Sequence, residues 1–305
     1  MTSFQRLAAV DLGSNSFRLE LGHQTPSGFV RDTYIKETIR LGGALDARGQ
    51  LSEQGMHAGW ACLERFGQSL KGYLPDEVRA VATQTLREAG NSQTFLAHGQ
   101  DCLGFPIEVI SGQEEAQLIY GGVAAALAKP LERRLVIDIG GRSAEIIIGR
   151  GDKPLWLRSL ALGSVACSQL YFAEGNFTAQ AFKQAESAAK ALFHAQLASS
   201  VRPDWDVAYG AAGTVNAVAE VLTASQWDAK RITRQAVNWL YDKLLAAGSA
   251  DKLTLPGLRA DRKPVIGGGL SLLRAFMDTL EIDVLIHTNA GLRHGLLQSM
   301  LKSRA

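Results

Sequence analysis

The chain has 305 residues, of which 46% are hydrophobic and 20% charged, and this composition supports folded cores and excludes general disorder. Its 32 lysines and arginines stand against 30 acidic residues, and the formal net charge of +2 excludes a polybasic protein that binds nucleic acid or a membrane surface through its overall charge. At roughly 100 to 200 residues per domain, this length predicts two domains.

The first half of the chain alternates strand and helix patterns. An apolar run, a tight turn and a second apolar run over 9–22 predict a β-hairpin. Helical spacing of apolar residues follows over 51–73, with Ser52 as the N-cap. The remaining predicted elements are strands at 77–83 and 106–110 and helices at 93–103 and from about Glu114.

The second half repeats this style, with a hairpin pattern over 136–149 and a long amphipathic helix over 178–198. A strand at 206–209 leads through a glycine-rich turn into a helix over 215–223. Alternating strands and helices predict an α/β fold with central sheets, and they argue against a barrel of hairpins or a helical bundle.

The two hairpins form an internal repeat. AVDLGSNSFRLELG, starting at Ala9, aligns with VIDIGGRSAEIIIG, starting at Val136, at a constant offset of 127 residues. Both contain Asp-x-Gly-x-x-Ser between apolar strands, and chance similarity of two hairpins is the alternative. The repeat places a boundary near Lys129-Pro130 and predicts domains 1–126 and 127–305, with the last helix free to pack back on the first domain.

Glycine is over-represented, with 31 residues, and several glycines lie in turns after predicted strands. Such turns bring backbone N–H groups close to an oxyanion, although any single one is more simply a chain reversal. Together, with two of them related by the repeat, they predict a binding site for a polyanion. The turns are Gly13-Ser14-Asn15-Ser16, Gly140-Gly141-Arg142-Ser143, Gly210-Ala211-Ala212-Gly213-Thr214 and Gly267-Gly268-Gly269.

Acidic residues accompany these turns. Asp11 and Asp138 end the first strands of the two hairpins, and Glu145 follows the second turn. Carboxylates facing phosphates suit Mg²⁺, which shares oxygen ligands with a substrate, and side-chain capping of the turn is the alternative. In the segment 111–115, an acid would orient and deprotonate an attacking water, unless both glutamates are surface residues that favour the helix dipole.

The chain also carries signals about its location. Its cysteines, Cys62, Cys102 and Cys167, are odd in number and lack the spacing of a metal or redox motif, which predicts a reducing cytoplasm. Asp11 and Arg18 interrupt the first apolar stretch, so we expect no secretory leader. We expect no membrane-spanning helix either, because the apolar run at 118–128 is shorter than the roughly 20 residues such a helix needs.

The chain resembles the exopolyphosphatase/guanosine pentaphosphate phosphohydrolase family nearly from end to end. The segments that carry the resemblance are AAVDLGSNSFRLEL, ATQTLREAGN, EVISGQEEAQLIYGGV, LVIDIGGRSAEIIIG, YGAAGTVNAVAEVL, LPGLRADRKPVIGGGLSLL and AGLRHGLL. The resemblance implies the duplicated, ribonuclease H-like α/β fold of actin, Hsp70 and sugar kinases, with a cleft between two domains. It also implies Mg²⁺-dependent hydrolysis of the terminal phosphoanhydride bond of inorganic polyphosphate, or of the 5′ phosphate of guanosine pentaphosphate.

The resemblance also implies roles for individual residues. Glu115 is the implied catalytic glutamate that activates water, and Asp138 and Glu145 are the implied catalytic acids that organise metal and water. Asp11 is a further candidate ligand of Mg²⁺. The implied substrate-binding residues are Gly13, Ser14, Asn15, Ser16, Arg87, Gly140, Gly141, Arg142, Ser143, Gly213 and Thr214. Arg262 and Lys263 would extend the phosphate track or form a solvated loop.

Some residues depart from the family pattern. Arg142 and Ala144 replace a glycine and a threonine of DIGGGSTE, Ala212 replaces a serine of GASGT, and Asn289 replaces an aspartate before the last segment. Arg142 would be strained if the turn required a positive φ, and it would add a phosphate donor if it faced the cleft.

The leading hypothesis is a cytoplasmic exopolyphosphatase that releases orthophosphate from the ends of polyphosphate with Mg²⁺. Its alternatives are hydrolysis of the 5′ phosphate of guanosine pentaphosphate, and a non-catalytic module that binds polyphosphate or guanosine alarmones. The expected partners are therefore polyphosphate or guanosine penta- or tetraphosphate. A sugar or acetate kinase of the same superfold fits less well, because SGQEEA and ATQTLRE are not expected there. The sequence is compatible with a homodimer.

Overall fold

The computed structural model describes residues 5–26, 28–127, 131–197 and 204–302. These residues divide into two compact units, one reaching up to Gly122 and including the chain from Leu292 onward, the other spanning Val123–Gly291. The last helix therefore belongs to the first unit. Lys129-Pro130, where the repeat places the boundary, lies outside the described residues.

The strands follow the chain in this order: β1 (Arg6–Leu12), β2 (Ser16–Thr25), β3 (Gly28–Thr38), β4 (Val78–Ala82), β5 (Ile107–Val109), β6 (Arg133–Ile139), β7 (Ala144–Arg150), β8 (Lys153–Leu160), β9 (Val207–Ala211), β10 (Arg231–Thr233) and β11 (Val284–His287). Short 3₁₀ turns lie at Leu41–Ala44, Pro75–Glu77, Ala173–Gly175 and Lys263–Val265.

The α-helices are α1 (Glu53–Ser69), α2 (Gln84–Glu88), α3 (Ser92–Leu103), α4 (Gly112–Leu127), α5 (Ser164–Tyr171), α6 (Ala179–Leu197), α7 (Ala212–Ala224), α8 (Arg234–Ala247), α9 (Ile266–Thr279) and α10 (Leu292–Lys302). Within the described stretches of the chain, none of these helices combines the length and apolar composition that crossing a bilayer requires.

The first unit is built on a sheet in the order β3-β2-β1-β4-β5. Strands β1, β2 and β3 are antiparallel neighbours, while β4 and β5 run parallel to β1. Alternate β1 residues face opposite sides of the sheet: Val10 packs in a core with α1 and α3, and Ala9 packs with α10. Asp11 therefore lies on the same face as Ala9.

The second unit has a sheet in the order β10-β11-β9-β6-β7-β8. Strands β6, β7 and β8 are antiparallel neighbours, and β9 and β11 run parallel to β6. Counted from β8 to β11, this sheet has the same strand order and directions as the sheet of the first unit, with β10 added at its edge. The repeated topology confirms the predicted duplicated α/β fold.

Most sequence-predicted elements have close counterparts. Ser52 caps α1, its hydroxyl accepting the N–H of Gly55 at 3.2 Å, as predicted. The predicted helix over 178–198 is α6, and residue 198 lies outside the described residues. The sequence analysis did not predict β3, β8, β10, β11, α2, α5, α8 or α9.

One predicted turn is wrong. Gly267, Gly268 and Gly269 lie inside α9 rather than in a loop. A β-carbon on Gly268 would lie 2.5 Å from the backbone nitrogen of Ser168 in α5. These glycines therefore allow two helices to pack closely, and their absence of side chains serves helix contact rather than anion binding.

Candidate functional site

Glu115 lies in the first turn of α4, just after β5. Ser111 starts the helix: its hydroxyl accepts the N–H of Glu114 at 3.1 Å, and its carbonyl accepts the N–H of Glu115 at 2.9 Å. Glu115 is only 6% exposed, whereas Glu114 is partly exposed and pairs with Arg79 at 2.9 Å. The surface-glutamate alternative therefore describes Glu114 and not Glu115.

Arg87 contacts Glu115 from α2, with its Nη2 2.8 Å from Oε2 of the carboxylate. The same guanidinium donates to the carbonyl of Ile110 at 2.7 Å and, through Nε and Nη2, to Oε1 of Gln84 at 3.0 and 2.6 Å. Arg87 thus joins α2, the end of β5 and the acid of α4. Its role in binding substrate phosphates stays a prediction, because all of these bonds are within the protein.

The proton affinity of Glu115 is set by its surroundings. Burial raises the pKa of Glu115 to about 7 from an ordinary 4.5, and the negative charge of Asp11 acts in the same direction. Arg87 opposes the rise, because its positive charge and its hydrogen bond favour the carboxylate. A carboxyl group with a pKa near neutrality can accept a proton at ordinary working pH.

The turn between β1 and β2 is held by the segment that follows β3. The carbonyl of Ser14 accepts the N–H of Gly42 at 2.7 Å, and the carbonyl of Asn15 accepts the N–H of Arg40 at 2.9 Å. In a trans peptide, a C=O and the next residue's N–H point in opposite directions. The N–H groups of Asn15 and Ser16 therefore point away from the supporting segment, as in a backbone nest that binds anions.

The side chain of Asn15 adds to this nest. It is buried, its Nδ2 donates to the Ser16 hydroxyl at 3.3 Å, and its Oδ1 has no hydrogen-bond partner among the described residues. A buried polar atom without a partner costs about 1–3 kcal/mol. Because amide oxygen and nitrogen are interchangeable in such an assignment, the turned-over amide would accept from Ser16 and offer an N–H to a ligand.

Asp11 precedes this first nest. Its Oδ2 accepts a hydrogen bond from Nη1 of Arg18 at 2.8 Å, and the two residues are direct partners across β1 and β2. The arginine thus balances the charge of this carboxylate. The predicted role of Asp11 as a Mg²⁺ ligand stays a prediction.

The turn between β6 and β7 has a similar backbone arrangement within the second unit. The carbonyl of Gly140 accepts the N–H of Ser164 at 2.9 Å, and that of Gly141 accepts the N–H of Val165 at 2.7 Å. By the same peptide geometry, the N–H groups of Gly141 and Arg142 point away from α5. The predicted phosphate turn is therefore a second backbone nest, held by the start of α5.

Gly163, immediately before α5, is a functional position that the sequence reasoning missed. A β-carbon there would overlap the carbonyl carbon of Gly141 and the backbone nitrogen of Arg142. Only glycine lets α5 approach this second nest so closely. The glycine is visible in LALGSVA, but nothing in that pattern indicates which backbone it touches.

The structure accommodates Arg142 and Ala144, the two residues that differ from the family pattern at the second turn. Arg142 does not have a positive φ, so the alternative that its backbone is strained is wrong. Its Nη1 donates to Oε1 of Gln169 on α5 at 3.3 Å. Ala144 is fully buried in the core of the unit, where a small apolar side chain packs well.

Asp138 and Glu145 lie directly opposite each other on β6 and β7, on the face turned away from Ile137. Such partners have Cβ atoms about 5 Å apart. Both are buried, and Oε1 of Glu145 accepts the hydroxyl of Ser159 at 2.8 Å. This pair fits Mg²⁺, which typically takes one or two carboxylates and fills its other positions with water and phosphate oxygens.

Asp138 and Glu145 fit a Mg²⁺ site with few protein ligands, not one in which protein side chains fill the coordination shell. In the described ranges of the chain, no three His, Cys, Asp or Glu side chains are gathered as a metal centre. Two carboxylates alone leave most of the coordination of Mg²⁺ to solvent and substrate. The sequence placed Asp138 before the second turn and Glu145 after it, and their role as metal ligands stays a prediction.

At the third predicted turn, the strand leads directly into the helix without a loop. Strand β9 ends at Ala211 and α7 begins at Ala212, which has a left-handed backbone with φ of 65°. The guanidinium of Arg262 lies against the next residue, since a β-carbon on Gly213 would be 2.7 Å from its Nη1. Arg262 is 7% exposed, so the solvated-loop alternative is wrong for this residue.

Comparison with known proteins agrees with this architecture. Successive backbone N–H groups of this kind are typical of anion-binding sites. A model of the Ppx/GppA phosphatase family matches residues 31–304 of the chain. The chain belongs to this family, whose members are phosphatases.

Solved structures of similar proteins extend over almost the whole chain. The PPX-GPPA enzyme of Aquifex aeolicus is 24% identical, with a TM-score of 0.80 over 97% of this chain and 100% of its own. An exopolyphosphatase from Cytophaga hutchinsonii is 22% identical, with a TM-score of 0.86 over 98% of both chains. At these identities the likeness is evidence for the shared fold.

Proposed function

We propose that the protein is an exopolyphosphatase that releases orthophosphate from the end of inorganic polyphosphate. Water attacks the terminal phosphorus atom and gives a proton to Glu115, while the bond from that phosphorus to the bridging oxygen breaks. The shortened polyphosphate is the leaving group. The observation that carries this proposal is the buried Glu115 carboxyl, held by Arg87 and with a pKa of about 7.

The raised pKa of Glu115 is useful for this chemistry. A solvent-exposed glutamate is fully ionised at pH 7 but is a weak base, whereas a carboxylate with a pKa near 7 takes a proton more readily. The same burial excludes competing solvent from the carboxylate. Phosphoryl transfer otherwise asks the protein for positioning and charge neutralisation rather than covalent help.

The two backbone nests would bind the phosphate oxygens. A net charge of +2 gives the chain no strong overall attraction for a polyanion, so recognition must rely on local donors. Each unit contributes one nest, centred on Asn15 in the first and on Gly141 in the second. Fixed amide donors suit a repeating chain of phosphates, because each donates without bringing a mobile side chain.

We further propose that Asp138 and Glu145 hold Mg²⁺. The ion supplies positive charge that neutralises phosphate oxygens. Ser159 orients Glu145 by donating its hydroxyl to Oε1 of the carboxylate. This oriented carboxylate is the contribution of the protein itself.

The substrate alternatives share the same chemistry. Guanosine pentaphosphate also ends in a phosphoanhydride, and the nests recognise phosphate without reading a base. Binding without turnover is a second candidate function, favoured by Ala212, which offers no hydroxyl and has a left-handed backbone at the start of α7.

The test measures phosphate release by purified protein from long-chain polyphosphate, guanosine pentaphosphate and guanosine tetraphosphate, with and without Mg²⁺. Wild type is compared with Glu115→Gln and with the matched control Glu114→Gln, which changes the neighbouring, partly exposed acid. We expect release by wild type and the control only. Equal release by wild type and Glu115→Gln would remove Glu115 from its role. Tight binding of polyphosphate by calorimetry without any release would favour the binding module.

A further inference from the structure

Gln84 is the residue through which α2 holds Arg87. Its Oε1 accepts two hydrogen bonds from the guanidinium, at 3.0 Å from Nε and 2.6 Å from Nη2. Its Nε2 donates to Oε1 of Glu88 at 2.6 Å. The three residues follow the i, i+3 and i, i+4 spacing of neighbours on one helix face.

The chemistry of these partners fixes the orientation of the Gln84 amide. An ionised carboxylate only accepts hydrogen bonds, so the group facing Glu88 must be the NH₂ of the amide. A guanidinium only donates, so the group facing Arg87 must be the oxygen. Both contacts require the same orientation, and the carbonyl oxygen is therefore directed at Arg87.

Two acceptors, one on α2 and one just after β5, determine where a further N–H group of Arg87 points. Gln84 takes Nε and one hydrogen of Nη2, and the carbonyl of Ile110 takes Nη1. The second hydrogen of Nη2 then meets Oε2 of Glu115 at 2.8 Å.

We infer that Gln84 is a positioning residue, which fixes the guanidinium of Arg87 on Glu115 and so keeps that acid able to serve as the base. This inference rests on the proposed role of Glu115. The charged groups that face Glu115 are Arg87 from α2 and Asp11 from β1. Burial and the charge of Asp11 raise the pKa of Glu115, and Arg87 lowers it. If Arg87 is held less firmly, its lowering effect weakens and the pKa of Glu115 rises further.

The test uses Gln84→Met, which keeps the length of the side chain and removes the acceptor. The same change at Gln93, an exposed residue of α3, is the matched control. The probe is the ¹³C carboxyl resonance of Glu115 in the substrate-free protein, assigned with Glu115→Gln and titrated with pH. We expect Gln84→Met to raise the pKa of Glu115 by about half to one pH unit and the control to leave it unchanged.

Kinetics provide an independent readout. In Gln84→Met, the fall of kcat on the acidic side should begin about half to one pH unit higher than in wild type. On the high-pH plateau, kcat should stay within about threefold of wild type. A general structural defect would lower kcat at every pH. Gln84→Ala is the second variant: it also removes the acceptor, so it should raise the pKa of Glu115 even if the methionine variant does not fold.

The outcomes separate this inference from the proposed function. An unchanged titration of Glu115 in a folded Gln84 variant overturns the inference, whatever the activity. A shifted titration in a protein that releases no phosphate supports the inference and removes the proposed catalysis. A shifted titration together with a shifted pH profile supports both.

Discussion

Replacing Glu115 with glutamine tests both the energetics and the chemistry of the candidate base. Glutamine has the shape of the protonated acid and can still accept a hydrogen bond from Arg87, but it never ionises. The folded pKa of Glu115 is about 7 against an ordinary 4.5. At roughly 1.4 kcal/mol per pH unit, ionising this buried acid costs the fold about 3 kcal/mol.

The sign of the effect follows from proton linkage. Because the folded pKa is raised, the stability that the protonated acid contributes is fully present below about pH 4.5 and is lost as the pH rises through about 7. The glutamine variant does not have this loss. Relative to wild type, Glu115→Gln should therefore gain about 3 kcal/mol in free energy of unfolding between pH 4.5 and pH 8.

The assay is urea unfolding of both proteins across this pH range, followed by tryptophan fluorescence and circular dichroism. Other titrating groups are common to both proteins, so their contributions cancel in the difference. In parallel, kcat for phosphate release should fall by roughly 10²–10⁴. A stability difference that stays constant from pH 4.5 to pH 8 would refute the raised pKa, even if activity were lost.

Further predictions concern the other turns. Ala212→Gly should raise the free energy of unfolding by about 1 kcal/mol, because glycine adopts the observed φ of 65° without strain; a less stable variant in urea would contradict this. Gly163→Ala should lower the free energy of unfolding by about 2 kcal/mol and weaken polyphosphate binding, since its methyl group would displace Gly141. If calorimetry gave this variant the same affinity for polyphosphate as wild type, the second nest would not be a binding site. Ser159→Ala should weaken Mg²⁺ binding to the substrate-free protein roughly tenfold, because Glu145 loses its orienting donor, and unchanged affinity would exclude that role.

The repeat made the sheets predictable, because strand periodicity and glycine turns are local signals. Aligning Asp11 with Asp138 indicated two hairpins, and the structure contains both, each at the centre of a similar sheet. The edge strands β3 and β8 were not predicted. No residue of β3 is fully buried, so its sequence lacks the apolar alternation on which strand prediction depends.

The residues that position the site were harder to predict from the sequence than the acidic residues of the site. The two glutamates of the first α4 turn were both candidates, and only burial separates Glu115 from Glu114. Gln84 and Gly163 carry no chemical signature of their own, because each acts by contacting a residue far along the chain. The glycines at 267–269 were misread for the same reason, since close helix packing and an anion turn favour the same residue.

The repeat also explains why the two hairpins differ in their suitability for a cation. The offset that aligns Asp11 with Asp138 aligns Arg18 with Glu145, and in each hairpin the two residues are direct cross-strand partners. In the first unit the aspartate therefore faces a positive charge, at 2.8 Å, and the pair is neutral by itself. In the second unit the aspartate faces another acid, so the same cross-strand position carries two carboxylates instead of a carboxylate and a guanidinium. The exchange of arginine for glutamate thus places two oxygen ligands side by side, which is why we propose the second hairpin, rather than the first, as the place for Mg²⁺.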